Sequence, residues 1–158
     1  MCTGRLQAPS RAPSATMLFV AKLRGYDLRF HKRSSDGSGK ADAYKTNNET
    51  HEVWGVVFCI NNSEERNLDG AEGLGNGYLK GEVDMLDEKN VPHKVWIYCA
   101  DNSYIDSSLK PYCWYKRFVV EGARQHGLPK SYINALRNVK CIKDPNKNRN
   151  ARERSILC

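Results

Sequence analysis

Residues 53–60 read Val-Trp-Gly-Val-Val-Phe-Cys-Ile. The run is apolar at nearly every position and rich in β-branched and aromatic side chains, which predicts a strand that is buried on both faces and central in its sheet. Gly55 inside it indicates a bulge or a closely approaching neighbouring backbone. The other predicted elements are placed around this strand.

The segment after the strand predicts a helix that breaks into a turn. Asn62 as N-cap, with Glu65 three residues later, fits a capping-box-like start, and the helical pattern runs to about Leu68. Residues 68–78 then read Leu-Asp-Gly-Ala-Glu-Gly-Leu-Gly-Asn-Gly-Tyr. Glycines can take backbone angles closed to other residues and let a ligand approach the main chain. We therefore expect this turn to present Glu72.

Glu72 is the candidate catalytic residue. A carboxylate held on such a turn, beside an apolar sheet, can act as a general acid and base. The alternative is that Glu72 is a solvated turn residue and the glycines only make the bend. Asp69 is interpreted as structural support that hydrogen-bonds the turn amides and holds Glu72 in place.

The remaining sequence predicts strands first and helices later. Alternation places Tyr26, Leu28 and Phe30 on one face of a strand. Helical spacing favours a long helix that starts near Pro111 and ends at Gly127. The predicted strands cover residues 17–21, 26–30, 53–60, 78–85 and 91–100, and a short last helix covers residues 132–139. This order predicts an α+β domain, with a mainly antiparallel sheet or barrel and helices on one side.

Composition excludes several classes of protein. The 158 residues suit one domain, and 40% hydrophobic with 27% charged residues favours a globular chain. No apolar run approaches the roughly 20 residues that span a bilayer, and no signal-peptide pattern is present at the start. We predict a domain over residues 1–142 and a basic, flexible tail over residues 143–158.

The net charge of +7 could indicate an acidic partner. Its two clusters, however, are the tail and the His31-Lys32-Arg33 stretch beside a Ser/Gly-rich turn, and neither interleaves the aromatic residues that stack on bases. A solvated tail and a solvated hairpin rim explain both clusters. A basic nucleic-acid binder stays open as a less favoured hypothesis.

The cysteine pattern favours free thiols. The six cysteines form no Cys-x-x-Cys pair, so no zinc ligand set is indicated. Cys59 and Cys99 fall inside apolar runs, where cysteine acts as a small hydrophobe. We therefore expect a reducing, cytoplasmic setting.

Several segments, in consistent order, resemble the gamma-glutamylcyclotransferase family. The match runs from the start of the chain to about Val139, and single pieces are weak while the ordered set is fairly specific. The segments that carry it are Leu23–Phe30, Lys32–Lys40, Val53–Val57, Leu68-Asp69-x-x-Glu72-Gly73, Lys110-Pro111 with Trp114-Tyr115, and Gly122–Pro129.

The resemblance implies a small mixed β-barrel flanked by helices, and the cyclisation of a γ-glutamyl group to 5-oxoproline with release of an amino acid or amine. Glu72 matches the family's catalytic glutamate, whose pKa burial would raise toward the working pH. Gly73, Tyr78 and Tyr115 are the candidate substrate-binding residues, although Tyr115 could equally be core and Tyr78 an ordinary strand aromatic. The implied partner is a small γ-glutamyl molecule, a homodimer is plausible, and the reaction needs no metal or organic cofactor.

One family feature has no counterpart in this sequence. Members begin with a strand and a Tyr-Gly-Ser-Asn loop that holds the glutamyl group and the developing oxyanion. Without them we expect an unpaired sheet edge and a weakened substrate anchor. The second hypothesis is therefore a non-catalytic relative that binds a small ligand or a protein.

Overall fold

The computed structural model describes residues 2–156. Within that range the strands are β1 (Thr16–Arg24), β2 (Tyr26–Arg33), β3 (Gly39–Lys45), β4 (Glu52–Cys59), β5 (Tyr78–Leu86) and β6 (Pro92–Ala100). The helices are α1 (Thr3–Leu6), α2 (Glu65–Glu72), α3 (Cys113–Gln125), α4 (Lys130–Asn138) and α5 (Lys147–Ser155), with 3₁₀ turns at Asn62–Glu64 and Asn102–Tyr104. This mixed architecture confirms the predicted α+β class.

The strands form two antiparallel sheets. Four of them make a sheet in the order β4-β1-β5-β6, and β2 pairs with β3 in a two-stranded ribbon. The ribbon approaches β6 through the Asp42 carboxylate, which accepts a hydrogen bond from the Ala100 backbone N–H at 2.7 Å. The hydrogen-bonded ladder of the described residues therefore stays open, and the closed barrel that the resemblance implied is replaced by two adjoining sheets.

Strand β4 lies at a sheet edge, and the prediction that it is central was wrong. Among the described residues it pairs only with β1. Its two apolar faces are covered by different layers instead: Trp54 and Val56 pack on the α3–α4 core, and Val57 packs against Ala21 and Met85. The apolar sequence reports that both faces of the strand are buried, but it does not report how many strands pair with it. A strand at the edge of a sheet can also have both faces covered.

The segment around α2 differs from its prediction in two details. The residue that caps the first turn is Asn61, whose side chain accepts a hydrogen bond from the Ser63 N–H at 3.0 Å. The helix then continues through Glu72 instead of ending near Leu68, and Gly73 ends it with a left-handed φ of 75°. A glycine takes this angle without the Cβ penalty that other residues meet.

The C-terminal stretch contains a helix that the sequence did not predict. Asn146 caps α5, and Glu153 of that helix accepts a hydrogen bond from Arg5 at 2.7 Å. These contacts place residues 147–155 against the domain. The boundary after residue 142 and the flexibility of the stretch stay predictions, and Leu157 and Cys158 lie outside the described residues.

A disulfide joins Cys113, at the start of α3, to Cys141, after α4. The expectation that the thiols are free was wrong for this pair and for Cys2, which is also disulfide-bonded, while Cys59 and Cys99 are free as expected. The two cysteines are 28 residues apart and meet because the Ile142 carbonyl accepts the Cys113 N–H at 3.0 Å. No helix of the described residues is long and apolar enough to cross a membrane.

Candidate active site

Glu72 lies at the edge of a cavity between the sheets and α3. The cavity has a volume of about 290 Å³ and is bounded by apolar side chains of β2, α3 and α4. Its charged and hydroxyl-bearing lining residues include Arg5, Arg11, Lys32, Ser34, Lys40, Glu72, Tyr78 and Tyr115. A second cavity, of about 590 Å³ with mostly apolar walls, shares Glu72 and both tyrosines with the first. Glu72 therefore lines two cavities and its side chain is only 20% exposed, which disfavours the interpretation of Glu72 as a solvated turn residue.

Arg11 holds the Glu72 carboxylate. Its Nη1 donates a hydrogen bond to Glu72 Oε1, and the exposed fractions of the two side chains are 13% and 20%. Arg11 stands in the segment between α1 and β1, far from Glu72 in sequence. Since an ion pair of this kind limits side-chain rotation, Arg11 directs the carboxylate toward the cavity. Oε2 accepts no hydrogen bond from the residues that the structure describes.

The two predicted tyrosines both hydrogen-bond the backbone of Ala41. Tyr78 donates its hydroxyl to the Ala41 carbonyl at 2.6 Å, and Tyr115 accepts the Ala41 N–H at 3.2 Å. The Tyr115 hydroxyl hydrogen has no acceptor among residues 2–156, so it can be donated to a ligand. Burial raises the pKa of Tyr115 to about 12 and that of Tyr78 well above its ordinary value. Both phenols are therefore neutral near pH 7.

Asp69 supports the site in a way the sequence did not predict. Its Oδ1 accepts hydrogen bonds from Lys80 at 2.8 Å and Tyr98 at 2.6 Å, both side chains of the sheet, and not from the turn amides. The hydrogen bonds from these donors lower the pKa of the Asp69 carboxyl, although its partial burial acts in the opposite direction. Asp69 thus ties the last turn of α2 to the sheet, one turn before Glu72.

Gly73 does not line the cavity. Its N–H is bonded to the Gly70 carbonyl at 3.1 Å, and its role is to end α2 directly after the glutamate. Contact between Gly73 and a substrate stays a prediction. The structure thus brings Glu72, Tyr78 and Tyr115 together, and places Asp69 and Gly73 beside them.

Two lysines line the cavity that were not expected there. Lys32 was expected in a solvated rim, and Lys40 was not singled out as a site residue. Lys32 is only 7% exposed and lines the cavity. Lys40 is also turned inward, where it donates to Asp36 at 2.6 Å. A signal was present, because Lys32 continues the alternation of Tyr26, Leu28 and Phe30, which places it on the same side of β2.

Comparison with known proteins supports one family. The model of the AIG2-like family matches residues 52–136. Human gamma-glutamylcyclotransferase is 30% identical over 135 residues, which cover 82% of this chain and 69% of the human protein, and the bovine protein gives the same values. A solved gamma-glutamyl cyclotransferase superposes with a TM-score of 0.81 at 28% identity, over 92% of this chain and 85% of its own.

This chain belongs to the gamma-glutamylcyclotransferase family. The resemblance in the ordered segments is thereby confirmed. In this member of the gamma-glutamylcyclotransferase family, Glu72 ends α2, is held by Arg11 and lines the cavity.

Proposed function

We propose that the chain cyclises a γ-glutamyl group to 5-oxoproline and releases an amino acid or amine, with Glu72 as general acid and base. The observation that carries the proposal is the position of the Glu72 carboxylate, which is directed by Arg11 and faces a cavity large enough for a small substrate. Family membership supplies the reaction class, since the relatives are named for this activity.

Glu72 is the one protein group that transfers a proton in the proposed reaction. It takes a proton from the α-ammonium of the substrate, and the freed amine attacks the γ-carbonyl carbon, so that a C–N bond forms. Glu72 gives this proton to the leaving nitrogen and the original C–N bond breaks. The new ring nitrogen loses its remaining extra proton to the released amine, which leaves as an ammonium. Because the attack is intramolecular, the protein mainly has to select the reactive conformer and exclude others.

The described contacts suit these steps. Arg11 occupies Oε1 of Glu72, which leaves Oε2 to move the proton. The Tyr115 hydroxyl, whose hydrogen has no acceptor in the described part of the chain, is the donor we assign to the developing oxyanion. The apolar second cavity offers space for a leaving group, since Glu72 lines both cavities.

The substrate, the assembly and the cellular location of the protein also belong to the proposal. The substrate is a small γ-glutamyl molecule, and a homodimer remains the assembly that the family resemblance implies. A cytoplasmic location was inferred from free thiols, and the Cys113–Cys141 disulfide removes that support.

The second candidate function is a non-catalytic module that binds a small ligand in the same cavity. In that function Glu72, Tyr78 and Tyr115 would contact the ligand without a chemical step. Release of 5-oxoproline from a panel of γ-glutamyl amino acids and γ-glutamyl amines, with calorimetric titration of the same compounds, separates the two. Turnover supports the enzyme, and saturable binding without turnover supports the module.

A further inference from the structure

The Lys32 ammonium is buried and is not paired with an anion among residues 2–156. Its residue is 7% exposed, and its Nζ makes no hydrogen bond or ion pair within that range. The Nζ lies 4.5 Å from the centroid of the Tyr78 ring and 6.0 Å from that of the Tyr104 ring. Buried lysines are rarely left unpaired, because removing an ammonium from water is costly unless another charge compensates it.

The other cations of the cavity are already paired. Arg5 contacts Glu153 at 2.7 Å, Arg11 is paired with Glu72, and Lys40 is paired with Asp36 at 2.6 Å. Among the described residues, Lys32 is therefore the cavity cation that remains available to a ligand.

The site around Lys32 accommodates this side chain closely. Gly77 has a φ of 116°, and a Cβ at that position would lie 2.5 Å from Lys32 Cε and 2.8 Å from Nζ. The φ favours a glycine there, and the absence of a Cβ leaves room for the end of the Lys32 side chain. Burial lowers the pKa of Lys32, while the carboxylates of Glu72 and Asp36 act in the opposite direction. A bound anion would oppose the effect of burial further.

We propose that Lys32 binds a carboxylate of the substrate in the cavity of Glu72. The proposal rests on the proposed function for the identity of the ligand. The carbon that bears the attacking α-amine also bears a carboxylate, so a cation that lines the same cavity as the general base is placed to bind it. A leaving amino acid carries a second carboxylate close to the nitrogen that Glu72 protonates. The substrate class is thus a γ-glutamyl compound with a free carboxylate beside one of the two reacting nitrogens.

The test uses three probes: a parent compound with two carboxylates, and two analogues that each lack one of them. γ-L-Glutamyl-L-alanine has both carboxylates, its α-carboxamide analogue lacks that of the glutamyl half, and γ-L-glutamyl methylamide lacks that of the leaving group. Binding is measured by calorimetry in the Glu72→Gln background, where turnover does not consume the probe. Lys32→Met is compared with Lys89→Met, the same change at an exposed turn position.

The expected result is that Lys32→Met weakens binding of γ-L-glutamyl-L-alanine about tenfold or more, as for loss of a charge-assisted contact. Lys89→Met leaves it unchanged. One of the two analogues loses its sensitivity to Lys32→Met, and that analogue identifies the carboxylate. Equal weakening of all three probes, or none, would overturn the proposal. Thermal melting of Lys32→Met checks the fold, which we expect to be retained because the change removes a buried unpaired charge.

Failure of this proposal and failure of the proposed function give different results. If the wild-type chain releases 5-oxoproline and Lys32→Met binds the probes normally, the role of Lys32 alone is wrong. If the chain binds the probes through Lys32 and releases no 5-oxoproline, the carboxylate site stands and the enzyme proposal fails. If the wild-type chain binds none of the probes, both fail.

Discussion

The Arg11 guanidinium contacts the Glu72 carboxylate across 61 residues of sequence, at the edge of the cavity. One residue comes from the segment before the first strand and the other from the last position of α2. The contact joins the N-terminal part of the chain to the candidate general base. We infer from this contact that Arg11, which also lines the cavity, is a positioning residue that acts through Glu72.

Replacing Arg11 by Met should therefore lower kcat about tenfold or more and leave KM within about twofold. Displacement of a reacting group by about 1 Å can cost on the order of a hundredfold in rate. Steady-state 5-oxoproline release measures both constants. Arg24→Met, at an exposed position at the end of β1, is the matched control. A change in KM alone, or no change in either constant, would contradict the positioning role.

Removal of the Tyr115 hydroxyl should reduce kcat by about 100- to 1000-fold, the range seen when one oxyanion donor is lost. Tyr115→Phe keeps the ring against Phe30 and Trp114 and deletes only the hydroxyl that accepts the Ala41 N–H. Tyr44→Phe is the control, since the Tyr44 hydroxyl has no hydrogen-bond partner in the described part of the chain. If Tyr115→Phe turned over like the control, the hydroxyl would have no part in the reaction.

Asp144 should contribute stability that depends on pH. It accepts hydrogen bonds from Arg149 at 2.6 and 2.7 Å and from Trp114 at 2.8 Å, and the contact with Arg149 holds the pKa of this carboxyl far below its usual range. A lowered folded-state pKa means that the contribution is complete above the unfolded-state pKa of about 3.9 and is lost as the pH falls below it.

Asp144→Asn is therefore expected to lower the free energy of unfolding by about 1–3 kcal/mol at pH 7, the cost of weakening charge-assisted bonds. The difference from wild type should shrink as the pH falls below about 4. Urea unfolding at several pH values measures both effects. A difference that stays constant with pH would show that Asp144 acts by packing alone.

Reduction of the Cys113–Cys141 bond should destabilise the fold by about 2–4 kcal/mol, because the bridge closes a long loop in the unfolded chain. Urea unfolding of the wild type and of Cys113→Ser, both without reductant, gives the difference, and mass spectrometry after alkylation shows whether the bond is present. Reductant also acts on Cys2, which is disulfide-bonded as well, so the Cys113→Ser variant should keep only that part of the reductant effect. An equal effect of reductant on both proteins would show that the Cys113–Cys141 bond adds no stability.

Local features of the chain could be predicted because they depend on neighbouring residues. The β5–β6 hairpin follows from two apolar runs around residues 87–90, and α3 follows from helical spacing that Gly127 ends. The position of β4 in the sheet could not be predicted. An apolar run does not show which elements cover its two faces or how many strands pair with it.

The candidate site shows the same difference between features set by neighbouring residues and features set by the fold. Glu72 could be singled out from its own turn, whereas its partner Arg11 is separated by four strands and is brought to it only by the fold. Lys32 was assigned to a solvated rim because a charged residue near a loop is usually exposed. The Cys113–Cys141 bridge was missed because no short spacing marks a pair 28 residues apart.

The most direct test of the central claim is 5-oxoproline release from γ-L-glutamyl-L-alanine by the wild-type chain and by Glu72→Gln. Glu88→Gln, in the exposed turn between β5 and β6, is the matched control. We predict release by the wild type and by the control, and a rate at least about a hundredfold lower for Glu72→Gln, as for loss of a general acid and base. A folded Glu72→Gln protein that releases 5-oxoproline at the wild-type rate would contradict the role of Glu72.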